Sequence, residues 1–203
     1  MGKKAPTRKS LFEPGEDPSR DLYVHNRGDG WWMYADGYRL AAELLIAKTE
    51  TLTLGECNAL IYPVVFLYRH HLELRLKYIV LVGQRLRRES IAPPTHHRLD
   101  TIWGECNRVL RERSVPVASG DRRDIEEVIK ELARLDPSSD LFRYPMNKAA
   151  TFPFPDELRQ FNLSHFGTQL SKVSETLRDI AGLLDADLDL EMEFYDELYG
   201  AYE

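Results

Sequence analysis

Between Leu54 and Arg88 apolar residues fall on nearly every side of a helical wheel, which predicts one long helix that the rest of the chain must surround. Within it, Arg69 and Glu73 share a stripe with Tyr62, Val65, Phe66, Leu72, Leu76 and Val80. Taking two ions out of water costs several kcal/mol each, so the pair must meet each other or further polar groups. Three roles are open to it: an internal bridge that fixes the register of a bundle, a seam between subunits, or a ligand site. Gly83 and the cluster Arg85, Arg87 and Arg88 mark the exit of this helix. Pro63 either kinks it or marks its first turn, which would delay the start to Tyr62.

The flanking sequence supplies partners for such a helix. Tyr38, Leu40, Ala41, Leu44, Leu45 and Ala47 repeat at helical spacing between Tyr34 and Lys48, with Asp36 placed to cap the start. After the Pro93-Pro94 turn, His97, Leu99, Ile102, Trp103, Cys106 and Leu110 predict a third helix, and Asp121 to Leu135 a fourth. Asp136 to Pro155 holds Pro137, Pro145, Pro153 and Pro155 among aromatics, which forbids a long helix yet is too apolar for a linker. It reads as an ordered loop, or as a short hairpin around Met146 to Ala149 with arms Leu141 to Tyr144 and Thr151 to Phe154. A long helix over Asn162 to Leu184 and a short one over Leu188 to Leu198 complete the chain.

The fold class is therefore all-α, a bundle of four to five long helices with a Pro-rich loop or hairpin between the last two long ones. At 203 residues a single domain is expected, preceded by a loosely ordered arm over residues 1–30, and the bundle itself spans 31–184. An acidic helix or tail over 185–203 follows. That tail carries eight acids and no Lys or Arg, and without those charges the net of −6 becomes +2. Arg69 to Arg123 holds twelve basic residues against six acids, so a basic middle and an acidic end can attract each other within the fold or between subunits.

Several function classes are disfavoured. The apolar run Ala59 to Tyr68 is too short to span a membrane, and the basic N-terminus has no apolar segment behind it, as a secretory signal would require. Cys57 and Cys106 are far apart, so no disulfide framework is expected and a cytoplasmic location is. His70, His71, His96 and His97 invite a metal proposal, but adjacent helical side chains diverge by about 100°, and no His-x-x-x-His pair supports one. No metal or other cofactor is expected. One of these imidazoles, placed near Arg69 and Glu73, has the chemistry for proton transfer. The segment Asp136-Pro-Ser-Ser-Asp-Leu-Phe-Arg-Tyr-Pro145 sets acids, hydroxyls and Arg143 beside Phe142, Phe152 and Phe154. Arg143 can fork to a phosphate or carboxylate, or can bridge Glu73 or Asp136 and lock the loop.

Three strings, Phe-Leu-Tyr-Arg-His-His-Leu-Glu-Leu-Arg-Leu-Lys over 66–77, His97-Arg-Leu-Asp-Thr-Ile-Trp103 and the Asp136–Pro145 segment, resemble bacterial proteins related to the HEPN superfamily. The resemblance covers roughly Tyr34 to Leu184. It implies a helical bundle, a homodimer, a cognate partner protein or RNA as binding partner, and a toxin–antitoxin or phage-defence setting. Active members of that superfamily are metal-independent RNases with Arg followed by four to six residues and His. Formal matches here are Arg159 to His165 and Arg20 to His25, the first being better placed for a two-subunit cleft. The leading expectation is binding of a partner or a nucleotide/RNA-type ligand through Arg69, Glu73, His97, Asp136 and Arg143. The alternatives are an RNase with Arg159 and His165 as catalytic pair, and a structural dimeric scaffold.

Overall fold

The computed structural model describes residues 11–13, 15, 17–22, 30–146, 149, 151, 154–155 and 158–199, without the side chain of Tyr199. The chain divides into two units, Met1–Gly30 and Trp31–Glu203. In the first, a short 3-10 turn at Pro18–Arg20 is capped by Asp17, whose carboxylate accepts from the Ser19 amide at 3.0 Å. His25, one half of the Arg20 to His25 motif, lies outside the described residues.

Among the described residues the second unit is all-helical: α1 (Trp31–Lys48), α2 (Leu54–Leu86), α3 (Leu99–Glu112), α4 (Ser119–Leu135) and α5 (Leu163–Tyr199). Thr53 begins α2 with a capping box, its hydroxyl accepting from the Glu56 amide while the Glu56 carboxylate accepts from the Thr53 amide. Pro63 therefore lies inside the helix. The carbonyl it deprives of an amide donor belongs to Ala59, and both residues are exposed, so the missing hydrogen bond falls on the solvent side of the helix where it costs least.

α2 is central, with α1, α3 and α5 packed on it and α4 bridging α3 and α5. Leu72, Leu76 and Ile79 of α2 meet Ile102 and Leu110 of α3, Ile125 and Ile129 of α4, and Val173 and Leu177 of α5 in one core. A smaller apolar cluster of Val65, Leu141 and Phe142, backed by Leu158 and Phe161, anchors the Pro-rich segment to the bundle. No helix among the described residues is long and apolar enough to cross a membrane.

Four boundaries depart from the sequence reading. α1 starts at Trp31, so Asp36 sits inside the helix and pairs with Arg75 at 2.6 Å instead of capping. α3 starts at Leu99, which leaves His97 in the preceding loop, and α4 starts at Ser119, two residues ahead of Asp121. The acidic end is no separate helix, since α5 runs unbroken through Leu184 to Tyr199. Asp185 of this extension accepts from the Tyr78 hydroxyl at 2.7 Å, and Arg113 pairs with Asp187 and Glu191. The basic middle and the acidic end thus meet within the fold. The segment between α4 and α5 is turns and irregular backbone wherever it is described; much of the expected hairpin, including residues 147–148 and 152–153, lies outside the described residues.

Candidate functional site

One guanidinium gathers three distant segments. Arg69 on α2 is 1% exposed and donates through Nη1 to Glu73 Oε2 at 3.1 Å. Its Nη2 donates to the carbonyls of His97 at 2.8 Å and Asp136 at 3.0 Å, and its Nε to the Asp136 carbonyl at 3.2 Å. The Asp136 carboxylate lies 3.4 Å from Nε as well. Its other oxygen accepts from the amides of Asp140 and Leu141 at 2.8 and 3.1 Å, closing a turn that carries Ser139 at a φ of 65°. A left-handed serine is a strained conformation, and the Asp136 carboxylate holds the turn that contains it.

Glu73 is the hinge of a second set of contacts. One oxygen faces Arg69, and the other accepts from Lys77 Nζ at 2.9 Å and from His97 Nδ1 at 2.8 Å. Burial pushes the Glu73 carboxyl upward, but hydrogen bonds from Lys77 and His97, with their charges, outweigh it and hold the group below the usual range. An ionised Glu73 accepts only, so Nδ1 of His97 carries its proton toward it and Nε2 is left for other partners. The His97 side chain is 56% exposed, so that second nitrogen is reachable from solvent.

Beside this buried network runs an aromatic ledge. The His70 ring lies flat against Phe66, with centroids 5.7 Å apart and planes 9° apart, and edge-on to Tyr38 at 4.5 Å. Burial, then the charges of Arg69, Lys77 and His97, push the His70 imidazole below its ordinary value against the opposing pull of Glu73. The Arg143 guanidinium sits over Phe66 at 5.6 Å and over Tyr144 at 5.3 Å. The ledge therefore presents two imidazoles, a guanidinium and stacking rings around the mouth of a fully paired ionic core.

Arg69, Glu73, His97 and Asp136 converge as the sequence implied, whereas Arg143 does not join them. It neither bridges Glu73 nor Asp136; its guanidinium is half-exposed and faces Tyr144, the Ser139 carbonyl and the Asp140 carboxylate. Arg69, with each nitrogen occupied, is a structural lock rather than a ligand group. Phe66, Lys77 and Tyr144 complete the site without having been singled out as site residues, beside His70, one of the imidazoles weighed for proton transfer. For the α2 residues the signal lay in the helical spacing of Phe66, His70, Glu73 and Lys77, which puts them on one stripe; Tyr144, in the irregular segment, gave none.

The other imidazoles diverge. His71 Nδ1 faces the Ala35 carbonyl at 2.8 Å under α1, and His96 faces Glu105 at 3.6 Å. No group of three metal-ligating side chains forms among the described residues. Arg159 and His165 are both exposed and line different cavities that share Phe142, Leu158 and Phe161 as walls. His165 shares its cavity with Asp124, Glu127 and Glu131, whose charge repels phosphate. No family model, curated protein or solved structure matches this chain.

Proposed function

We propose that the bundle binds a nucleotide- or RNA-type ligand on the ledge formed by Phe66, His70, His97, Arg143 and Tyr144. The observation that carries this reading is the division of labour between buried and exposed charge. Arg69, Glu73 and Asp136 satisfy one another inside, so the Arg143 guanidinium and the outer nitrogen of His97 at the mouth are available to an anion. Arg143 offers a planar fork for phosphate, His97 a second donor through Nε2, and the rings of Phe66 and Tyr144 surfaces on which a base can stack. Base stacking on an aromatic ring contributes about 1–3 kcal/mol, which suits a ligand carrying both base and phosphate. The resemblance to HEPN-type proteins points to the same ligand class, and a cleaving activity is not needed for it.

The test is a titration of fluorescent single-stranded RNA, 2′-O-methylated so that it cannot be cut, and of ATP, followed by anisotropy or calorimetry. Arg143→Ala is expected to weaken binding about tenfold while leaving the melting temperature within a few degrees, because its contacts are half-exposed. Phe66→Leu is expected to weaken the RNA more than inorganic phosphate. Unchanged affinity in both variants would sink the reading. Cleavage of unmodified RNA in EDTA that is lost in His165→Ala would move the function to Arg159 and His165 instead.

A further inference from the structure

The cavity between α4 and the start of α5 has a chemistry opposite to that of the ledge. It encloses about 400 Å³, within the range of small-molecule sites, and its floor is made by Val65, Leu132 and Leu170, all buried. Aromatic rings of Phe142, Phe161 and Phe166 form one side, the last two meeting edge-on with centroids 5.6 Å apart. The rim is acidic. Asp124, Glu127 and Glu131 of α4 line it one helical turn apart, and among the described residues the polar groups opposite them are the neutral Gln169 and Asn162 and the imidazole of His165. Lys172 of α5 pairs with Asp124, whereas Glu127 and Glu131 form no ion pair among the described residues and supply the net charge of the mouth.

We propose that this cavity binds an amphipathic organic cation, an aromatic or alkyl body carrying one ammonium group. The apolar floor takes the body, since burying it removes hydrocarbon from water at about 25 cal/mol per Å². The ammonium group then lies at the mouth, where two glutamates attract it and the faces of Phe161 and Phe166 add a cation–π contribution of about 0.5–2 kcal/mol. A carboxylate of the same shape meets repulsion at the same place. The low-dielectric wall beside the rim strengthens both effects relative to an open surface. This site is independent of the ledge, and an anionic nucleotide and an organic cation can occupy the molecule together.

Tryptamine and indole-3-acetate separate the possibilities, because they share a ring system and differ in the sign of the charge. Calorimetric titration of the full chain is expected to show tryptamine binding at least tenfold more tightly than indole-3-acetate, with an advantage that shrinks as salt rises. Amide chemical-shift changes with tryptamine are expected in 124–135 and 161–170. The double variant Glu127→Gln/Glu131→Gln keeps the fold, both residues being exposed, and is expected to lose at least tenfold in tryptamine affinity with the ligand-free melting temperature unchanged. Equal affinity for the two ligands, full affinity in the double variant, shift changes elsewhere in the bundle, or no binding of tryptamine would each overturn the proposal.

Discussion

Arg69 spends its donors on the two carbonyls and two carboxylates around it, so its removal leaves more than a hole. Arg69→Met keeps most of the side-chain volume yet strands Glu73 and Asp136 in a site with no countercharge of equal reach. A loss of about 3–5 kcal/mol is expected in urea unfolding. Adding Glu73→Gln is expected to return part of it, and simple additivity of the two losses would argue against direct coupling. His71 makes a separate prediction. It is 1% exposed, and burial, opposed by its hydrogen bond to the Ala35 carbonyl, pushes the imidazole down to about 4. Between that value and the ordinary 6.5 the unfolded chain binds a proton that the folded chain refuses, so stability rises with pH across this window and is lost as pH falls. At about 1.4 kcal/mol per pH unit, the fold is expected to be about 2 kcal/mol weaker at pH 5 than at pH 7.5. His71→Gln should flatten urea midpoints over that range. Glu73 acts lower. Its folded carboxyl is held below its unfolded value, so its contribution is present above the ordinary carboxylate range and lost only as pH falls through the lowered value.

Helix packing adds a constraint invisible in the hydrophobic pattern. Gly83 near the end of α2 lies so close to α3 that a Cβ built on it would stand 2.3 Å from Val109 Cγ2 and 2.8 Å from Cγ1. Gly83→Ala is therefore expected to cost about 1–3 kcal/mol through overpacking, and Val109→Ala in the same chain to recover much of it. Thermal melts of the single and double variants check this, and a double variant no better than the single would place the strain elsewhere. The sequence suggested Gly83 as a helix exit, a role that fits glycine equally well, because a one-dimensional pattern cannot show which helix approaches. The false break between Leu184 and Leu188 has a related cause. Asp185 and Asp187 interrupt the apolar stripe, yet Tyr78 and Arg113 reach them from α2 and the end of α3, and no Gly or Pro stops the helix there. Conversely, the Arg69–Glu73 pair was legible because charge on an apolar stripe demands a partner whatever the tertiary arrangement. Arg143 was not, since an arginine in an irregular loop gives no direction from spacing alone.

Across the whole molecule the charge asymmetry read from the sequence becomes a mechanical arrangement. Beyond Leu188, which packs against the core, α5 projects Leu190, Met192 and Phe194 largely into solvent, so hydrophobic burial contributes little to holding this last stretch. Among the described residues the contacts that tie it to the bundle around and past that point are mainly polar: Arg113 on Asp187 and Glu191 and the Arg88 guanidinium over the Tyr195 ring at 4.5 Å, with Tyr78 on Asp185 just before them. Partly exposed ion pairs contribute about 0–1 kcal/mol each and weaken in salt. The distal helix should therefore open locally far more readily than the core, in a manner set by Arg113. For Arg113→Ala, hydrogen exchange of amides in 187–198 is expected to accelerate about three- to tenfold while amides in 72–82 of α2 keep their wild-type rates. The melting temperature should move by no more than about 2–4 °C, as a 1 kcal/mol change produces in a chain of this size. Adding 0.5 M NaCl to the wild type should reproduce much of the acceleration and add little to the variant. If exchange in α2 rose in parallel, the distal helix would be part of the cooperative core, and its acidic face would be a condition of folding rather than a tether.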